Sequence, residues 1–455
     1  MGGVRITISA SPHRSANLMP KRGVHTIMAG AAESEVLSVD DAITDVGVYS
    51  DKTRYHRLFA KLRVEDPVRW TQPTSYRPFW TVSKHADICE VQRKPAIFRN
   101  EPRTTLNTIE AETKIRAATG RNQTQRSLIS TDGEEHAALR SVTAAWFQPD
   151  SVKKLNEDIA RLARSYVERL RGHGGRCDFA TDIAVRYPLR VILLILGLGD
   201  DPHAEDTLLR LSKEMNGSLD SETQRSRSQG EHMLQVVQEI FEFFKPVAAD
   251  RRARPRNDLA SIIANATIDG KPLPELTVFS YYLTVAVAGH DTTSASISGG
   301  LLALMQNPDE MRKLREKPTL VRLAVNEMVR WTHPVKHFFR TAVEDYTLRD
   351  RPIKAGDSLL MCYPSACRDE EAFKEPFRFS VERSSNPHVA FGIGPHVCLG
   401  QYLAKVEMEV FYRELLAAVD DIELDGEPVE SQTLFMGGLK RLPIRYRLHE
   451  RSGRA

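Results

Sequence analysis

No C-x-x-C pair occurs in this chain, and its five cysteines, Cys89, Cys177, Cys362, Cys367 and Cys398, form an odd set. That is poor material for a disulfide framework or a structural zinc site, and it points to a reducing cytoplasm. Long apolar runs are missing as well. The longest, Leu276 to Gly289, gives way to His290 and Asp291, short of the roughly 20 residues that span a bilayer, so it reads as a buried helix. Net charge is nearly absent: 63 basic against 60 acidic residues leave +3, which gives nucleic acid no electrostatic claim as a partner. The local run Arg251, Arg252, Arg254 and Arg256 reads as a solvated loop. Acids are missing from residues 1–32, which carry Arg5, Arg14, Lys21 and Arg22. We expect a flexible N-terminal extension over residues 1–40, with Met28 as a candidate initiator, while Ile6 excludes a myristoylation signal. No Pro/Gly/Ser-rich linker, repeat or low-complexity tract divides the rest, so residues 41–450 are expected to form one large domain. P-loop, H-E-x-x-H and G-x-S-x-G patterns are also lacking, which removes the commonest nucleotide-binding, zinc-protease and serine-hydrolase chemistries.

What is present is mainly helical, with a minor β region. Residues 41–92 are mixed, with a hairpin expected between Pro67–Trp70 and Phe79–Ser83. Residues 100–130 are polar and without periodicity, and read as a long loop of the kind that often carries function. Helical periodicity runs from Thr131 to Trp331, broken by Gly172–Gly175 and the polar stretch 217–230. Thr341–Leu348 and Pro352–Leu360 read as β-ribbon, and a last helix is expected from Cys398 to about Val419.

The chemistry concentrates at Phe391-Gly-Ile-Gly-Pro-His-Val-Cys398-Leu-Gly400. Two glycines and a proline lead into a cysteine that opens a helix with apolar positions Leu399, Leu403, Val406 and Val410. Unpaired N–H groups and the positive end of the helix dipole favour a thiolate there. Glycines let the backbone approach a flat group closely, and Phe391 can cover one side of the sulfur. A dinucleotide fingerprint is excluded, because Val397 stands where its third glycine belongs.

The pattern F-G-x-G-x-H-x-C-x-G resembles the haem-binding loop of the cytochromes P-450. The resemblance implies the cytochrome P-450 fold, a single domain enclosing haem b (iron protoporphyrin IX), with Cys398 as the iron ligand. It also implies that Phe391, His396, Gly400 and Ala288 contact the cofactor, His396 by holding a propionate. Three further motifs follow in order. Ala288-Gly-His-Asp291-Thr292-Thr293 puts an acid and an alcohol in mid-helix, where neither favours helix or burial, and such conflicts mark working sites. In this reading Gly289 loosens the helix, Thr292 hydrogen-bonds the oxygen being activated, and Asp291 relays protons from solvent. Glu327-Met-Val-Arg330 resembles the family's E-x-x-R pair, completed by Arg383 as a structural triad. Thr131-Asp-Gly-Glu134 reads as a capping box for a helix on which His136 and Arg140 share a face, suited to an anionic cofactor edge, and Arg340 resembles the arginine used for the same purpose.

The resemblance extends over Val46–Tyr446 and has its nearest form in the bacterial α-terpineol hydroxylase group, through Ala145-Trp-Phe-Gln-Pro149, Val329-Arg-Trp-Thr-His-Pro-Val-Lys336, Tyr363-Pro-Ser-Ala366 and Gly437-Gly-Leu-Lys-Arg-Leu-Pro443. It implies hydroxylation of a small apolar substrate, a monoterpenoid or alkylbenzene, in a pocket lined by Thr284, Val287, Ala288, Val335, Phe338 and Met436 and roofed by residues 100–130. It also implies O2 as co-substrate and electrons from a [2Fe-2S] ferredoxin with its NAD(P)H-dependent reductase, met through basic residues such as Lys405. The rival readings are a hydroxylase of a larger lipid such as a sterol or fatty acid, and a non-catalytic haem-binding sensor. The sensor has no use for Asp291 and Thr292.

Overall fold

A computed structural model describes residues 37–199 and 201–449. The acid-free extension and Met28 lie outside the described residues. A short helix, Val39–Ala42, already spans the expected boundary at residue 40, its N-terminus capped by Ser38, whose Oγ accepts from Asp41 N–H (3.0 Å).

The organising element is the helix Glu275–Gln306, 32 residues long and buried around nearly its whole circumference, as its lack of a polar face requires. It packs against Arg186–Ile195, Val321–Thr332 and Gln401–Ala418. Small residues let these neighbours close in: a Cβ on Gly289 would stand 2.5 Å from Ile192 Cδ1, and one on Gly300 would stand 2.7 Å from the Tyr412 hydroxyl. Gly289 thus serves close helix packing rather than a loosened helix. The central helix continues through His290 and Asp291 without a break.

A five-stranded sheet stands beside the helices. Its strands are β1 (Val68–Thr71), β2 (Phe79–Val82), β3 (Phe98–Arg99), β4 (His337–Ala342) and β5 (Ser358–Cys362), in the order β1-β2-β5-β4-β3. The β1-β2 hairpin falls where the sequence puts it, Val68 facing Val82 and Thr71 facing Phe79. The second expected ribbon is two pairings. Tyr346–Leu348 pairs with Arg351–Ile353, whereas β5 pairs antiparallel with β4 and parallel with β2.

Other expectations are corrected. Residues 100–130 are not all loop: Ile109–Thr119 is a helix, opened by Thr108, whose hydroxyl accepts from Ala111 N–H (3.1 Å), and closed by Gly120 at φ +72°. Its buried face includes Glu112, which breaks the apolar period but is paired with Arg103 (3.1 Å) and Arg77 (2.9 Å). The capping box at Thr131 does not form. Thr131 Oγ1 donates to Ser127 O, and Asp132 takes the N-cap position of helix Gly133–Ala144 with its carboxylate turned to the Asn100 and Glu101 amides. The arginine run ends a helix, Gln229–Ala253, and Arg251 is buried against Asp258 (2.8 Å). The last helix begins at Gln401, three residues after Cys398.

Candidate active site

The cysteine loop is held open by backbone geometry that only glycine adopts cheaply. Gly392 and Gly394 sit at φ +66° and +73°, and a Cβ on Gly394 would stand 2.6 Å from the carbonyl oxygen of Gln92. Gln92 also fixes the loop with its side chain: Oε1 accepts from Ile393 N–H (2.8 Å). Cys398 N–H donates to Phe391 O (2.8 Å), which closes the loop over the sulfur. Burial pushes the Cys398 thiol up, while the Gly400 N–H and the charges of Arg140 and Lys405 pull it down. Burial wins, so the thiol sits above its ordinary range, and the helix N-terminus expected to favour a thiolate at Cys398 starts only at Gln401.

Cys398 lies on the wall of a large cavity between the loop and the central helix. Thr284, Val287, Ala288, Thr292, Val335, Phe338 and Met436 line it, as do His136, Arg140, Arg340, Phe391, His396 and Gly400. Thr292 Oγ1 donates back to Ala288 O (2.9 Å), so its hydroxyl already competes for a helix carbonyl at the cavity wall. Asp291 is not among the lining residues. It lies 2.9 Å from His290 Nε2 and accepts from the Asn216 amide, and Asn216 does line the cavity. His290 is fully buried, with Nδ1–H donating to Ala286 O (2.6 Å) and Nε2 3.0 Å from Ser212 Oγ. Burial opposes its charged form, but the Asp291 carboxylate outweighs this and holds His290 above the ordinary imidazole range.

One edge of the cavity is cationic and short of partners. Arg340 is 5% exposed, and its hydrogen bond among the described residues runs to Phe339 O (2.7 Å). Neither Arg340 nor Arg140 forms an ion pair with a described residue. The rings of His136 and His396 lie 3.8 Å apart, and His136 Nε2 is buried without a partner. Burial, then His396 and Arg140, push His136 down to about 4. The Asn100 amide donates to His396 Nε2 (2.6 Å). Two guanidinium groups without an ion pair, Arg340 buried and Arg140 half-buried, set around a cysteine sulfur and glycine-lined backbone, fit a flat dianion with a metal at its centre, as haem is.

Glu327, Arg330 and Arg383 stand apart from the cavity. Arg330 makes a bidentate pair with Glu327 (2.7 and 2.8 Å), both side chains fully buried. Arg383 Nε is 3.0 Å from Glu327 Oε2 but poorly aligned, and its terminal nitrogens donate to Lys374 O and Arg378 O. The cluster ties helix Val321–Thr332 to the segment before the cysteine loop.

Several residues of the site went unread in the sequence. Gln92, Asn100 and Asp132 fix the loop and His396 across gaps such as 301 residues from Gln92 to Ile393, and no local pattern announces such contacts. The pocket walls are not uniformly apolar either: Asn107, Gln123, Gln125 and Ser127 face it from the roof. Gln125 Oε1 is buried there with no partner. Lys405 is half-buried with its ammonium 5.3 Å from the Phe391 ring centroid, whereas Arg322 and Arg413 are exposed.

Comparison with known proteins gives one family. The family model described as cytochrome P450 matches residues 105–443. Cytochrome P450-terp from a Pseudomonas species is 38% identical over 407 residues, 88% of this chain and 95% of that protein. Linalool 8-monooxygenase from Pseudomonas putida is 33% identical over 390 residues, 86% and 95% of the two chains. Among solved structures, the crystal structure of CYP108D1 from Novosphingobium aromaticivorans matches with a TM-score of 0.84 at 36% identity, covering 90% of this chain and 98% of that one.

Proposed function

The chain belongs to the cytochrome P450 family and is a haem-dependent monooxygenase, and from that premise we propose that it hydroxylates a compact terpenoid, using haem b held by Cys398 and electrons from a [2Fe-2S] ferredoxin with its NAD(P)H-dependent reductase. The observation that carries the reading is that the Cys398 sulfur, the Thr292 hydroxyl and the acid-free Arg140 and Arg340 line one cavity. The chemistry the haem supplies when bound is activation of O2, with electron push from the thiolate. Arg140, Arg340, His136 and His396 hold the propionates, and Phe391 and Gly400 shape the thiolate side. Thr292 Oγ presents a hydroxyl at the cavity wall and orients the oxygen to be protonated. Asp291 supplies the proton, which requires its carboxyl to leave the Asn216 amide and reach cavity water. Glu327, Arg330 and Arg383 keep the loop in register without touching the reacting atoms.

The substrate assignment rests on the pocket's two surfaces. Val287, Val335, Phe338 and Met436 favour a hydrocarbon body, while the idle amide oxygen of Gln125 accepts from one substrate hydroxyl. A terpenoid alcohol matches both better than an alkylbenzene does. For the electron donor, the exposed Arg322 and Arg413, close to Glu409, suit an acidic ferredoxin better than the sequestered Lys405.

The test has two stages. The reduced, carbon-monoxide-bound protein should show the red-shifted Soret band of thiolate ligation, and Cys398→Ala should lose it; imidazole-type or absent haem absorption would end the reading. A panel of terpenoid alcohols, terpene hydrocarbons, alkylbenzenes, sterols and fatty acids should then shift the haem spin state most strongly for the alcohols. Gln125→Leu should erase the preference for alcohol over hydrocarbon, a loss of about 1 to 3 kcal/mol. A response confined to sterols or fatty acids would reassign the substrate.

A further inference from the structure

Three phrases singled out in the sequence place part of their residues outside the catalytic cavity, and the fold brings those residues together. His333 and Lys336, Pro364, and Gly437 to Leu439 meet beside Ala295 and Gly299 of the central helix, Gly299 lying two turns past Thr292. They enclose a pocket of about 30 Å³, room for one water-sized or chloride-sized body.

The polar inventory of this pocket does not balance. His333 ends helix Val321–Thr332 at φ +35°, is only 7% exposed, and has both ring nitrogens buried without a hydrogen-bond partner. His56, whose ring stands edge-on 6.2 Å from that of His333, leaves Nδ1 unpaired, and Tyr55 leaves its hydroxyl unpaired. The Lys336 ammonium has the face of Tyr49 at 5.9 Å and no ion pair with a described residue. Glu430, the acid in the pocket, is already bound to Lys52. The lining therefore offers an ammonium, a phenol and two imidazoles, with two lysines against one carboxylate.

Burial, together with the charges of Arg368, Lys52 and Lys336, holds both imidazoles well below their ordinary range, so they stay neutral and each keeps one N–H to donate. A water molecule there could serve a bare imidazole nitrogen but would bring no charge against Lys336. A monatomic anion accepts from every side and cancels the surplus. A hollow of about 30 Å³ suits a monatomic ion better than phosphate, sulfate or a carboxylate. We propose that this pocket is a structural binding site for a halide-sized anion, chloride under ordinary conditions, held by Lys336, His333, His56 and Tyr55. It would tie helix Lys52–Glu65, the end of helix Val321–Thr332 and the loop at Gly437 to the central helix.

The direct test needs no variant. Crystals of the haem-loaded protein grown or soaked in sodium bromide should show an anomalous peak within hydrogen-bonding distance of His333 and Lys336. Density without anomalous signal there, at a concentration that labels other sites, would identify water and overturn the proposal. In solution, exchanging sodium gluconate for sodium chloride at constant ionic strength should raise the thermal midpoint of the holoprotein along a saturating curve. Lys336→Met should raise the half-saturating chloride concentration about tenfold. If that variant does not fold, His56→Leu, which removes a donor and leaves the charge, should shift the curve in the same direction. A chloride response that is linear, or the same in the folded variant as in the wild type, counts against the site.

Discussion

Thr292 and Glu407 are both polar groups inside apolar helices, and their surroundings give them opposite fates. The Thr292 hydroxyl is parked on Ala288 O at the cavity wall and can swing to a new acceptor at small cost. Thr292→Ala should leave NAD(P)H consumption running while product per NAD(P)H falls, and undiminished yield per electron would remove the residue from proton delivery. Glu407 is fully buried on helix Gln401–Ala418, both carboxyl oxygens are unpartnered, and burial raises it well above the ordinary carboxylate range. The folded state thus keeps a proton that the unfolded chain releases. Stability is lost as pH rises above the ordinary carboxylate range, by up to about 1.4 kcal/mol per pH unit. Glu407→Gln removes that slope, so its denaturant midpoint relative to wild type should climb between about pH 5 and 8, and parallel curves would show that Glu407 finds a partner.

At the scale of elements, the cysteine loop is decided by two glycines that look equivalent in sequence and are not. Both have positive φ, but a methyl group on Gly392 meets nothing nearer than 3.7 Å, whereas on Gly394 it meets Gln92 backbone at 2.6 Å. Gly392→Ala should cost about 1 kcal/mol of strain and retain haem. Gly394→Ala must push the loop off the helix His85–Gln92, so haem content per protein should drop sharply, and equal haem retention in the two variants would mean the loop is not braced there. The hairpin, the central helix and the helical majority were legible because each follows a local period or turn rule. The helix Ile109–Thr119 was not, because its buried face carries Glu112, a charge made acceptable by Arg103 and Arg77. The start of the final helix was misplaced by three residues because Cys398 already has the composition of a helix opening while its N–H is spent on Phe391 O.

At the scale of the whole molecule, near-neutral net charge means that partner attraction must come from local patches rather than from a global field. Turnover supported by an acidic ferredoxin should fall as salt rises, and Arg413→Glu should lower its apparent affinity while leaving the substrate-induced spin shift unchanged. Turnover with the reductase and NAD(P)H alone would remove the ferredoxin. The described chain has no helix long and apolar enough to cross a membrane, in keeping with the mainly apolar 14-residue stretch that stops before His290.

The amino-acid sequence determined the mainly helical architecture, the cysteine that faces the cavity, the acid and alcohol pair and the Glu327–Arg330 pair, because turns, helix periods and motif spacing are properties of neighbours along the chain. Tertiary structure decided that Asp291 turns to His290 and Asn216 instead of the cavity, that Lys405 shelters over Phe391, that Gln125 and its polar neighbours roof the pocket, and that His333 and Lys336 share an enclosed, positively charged hollow. These arrangements depend on which distant segment lies across each side chain, and with it on which charges and hydrogen bonds are left unmatched after packing.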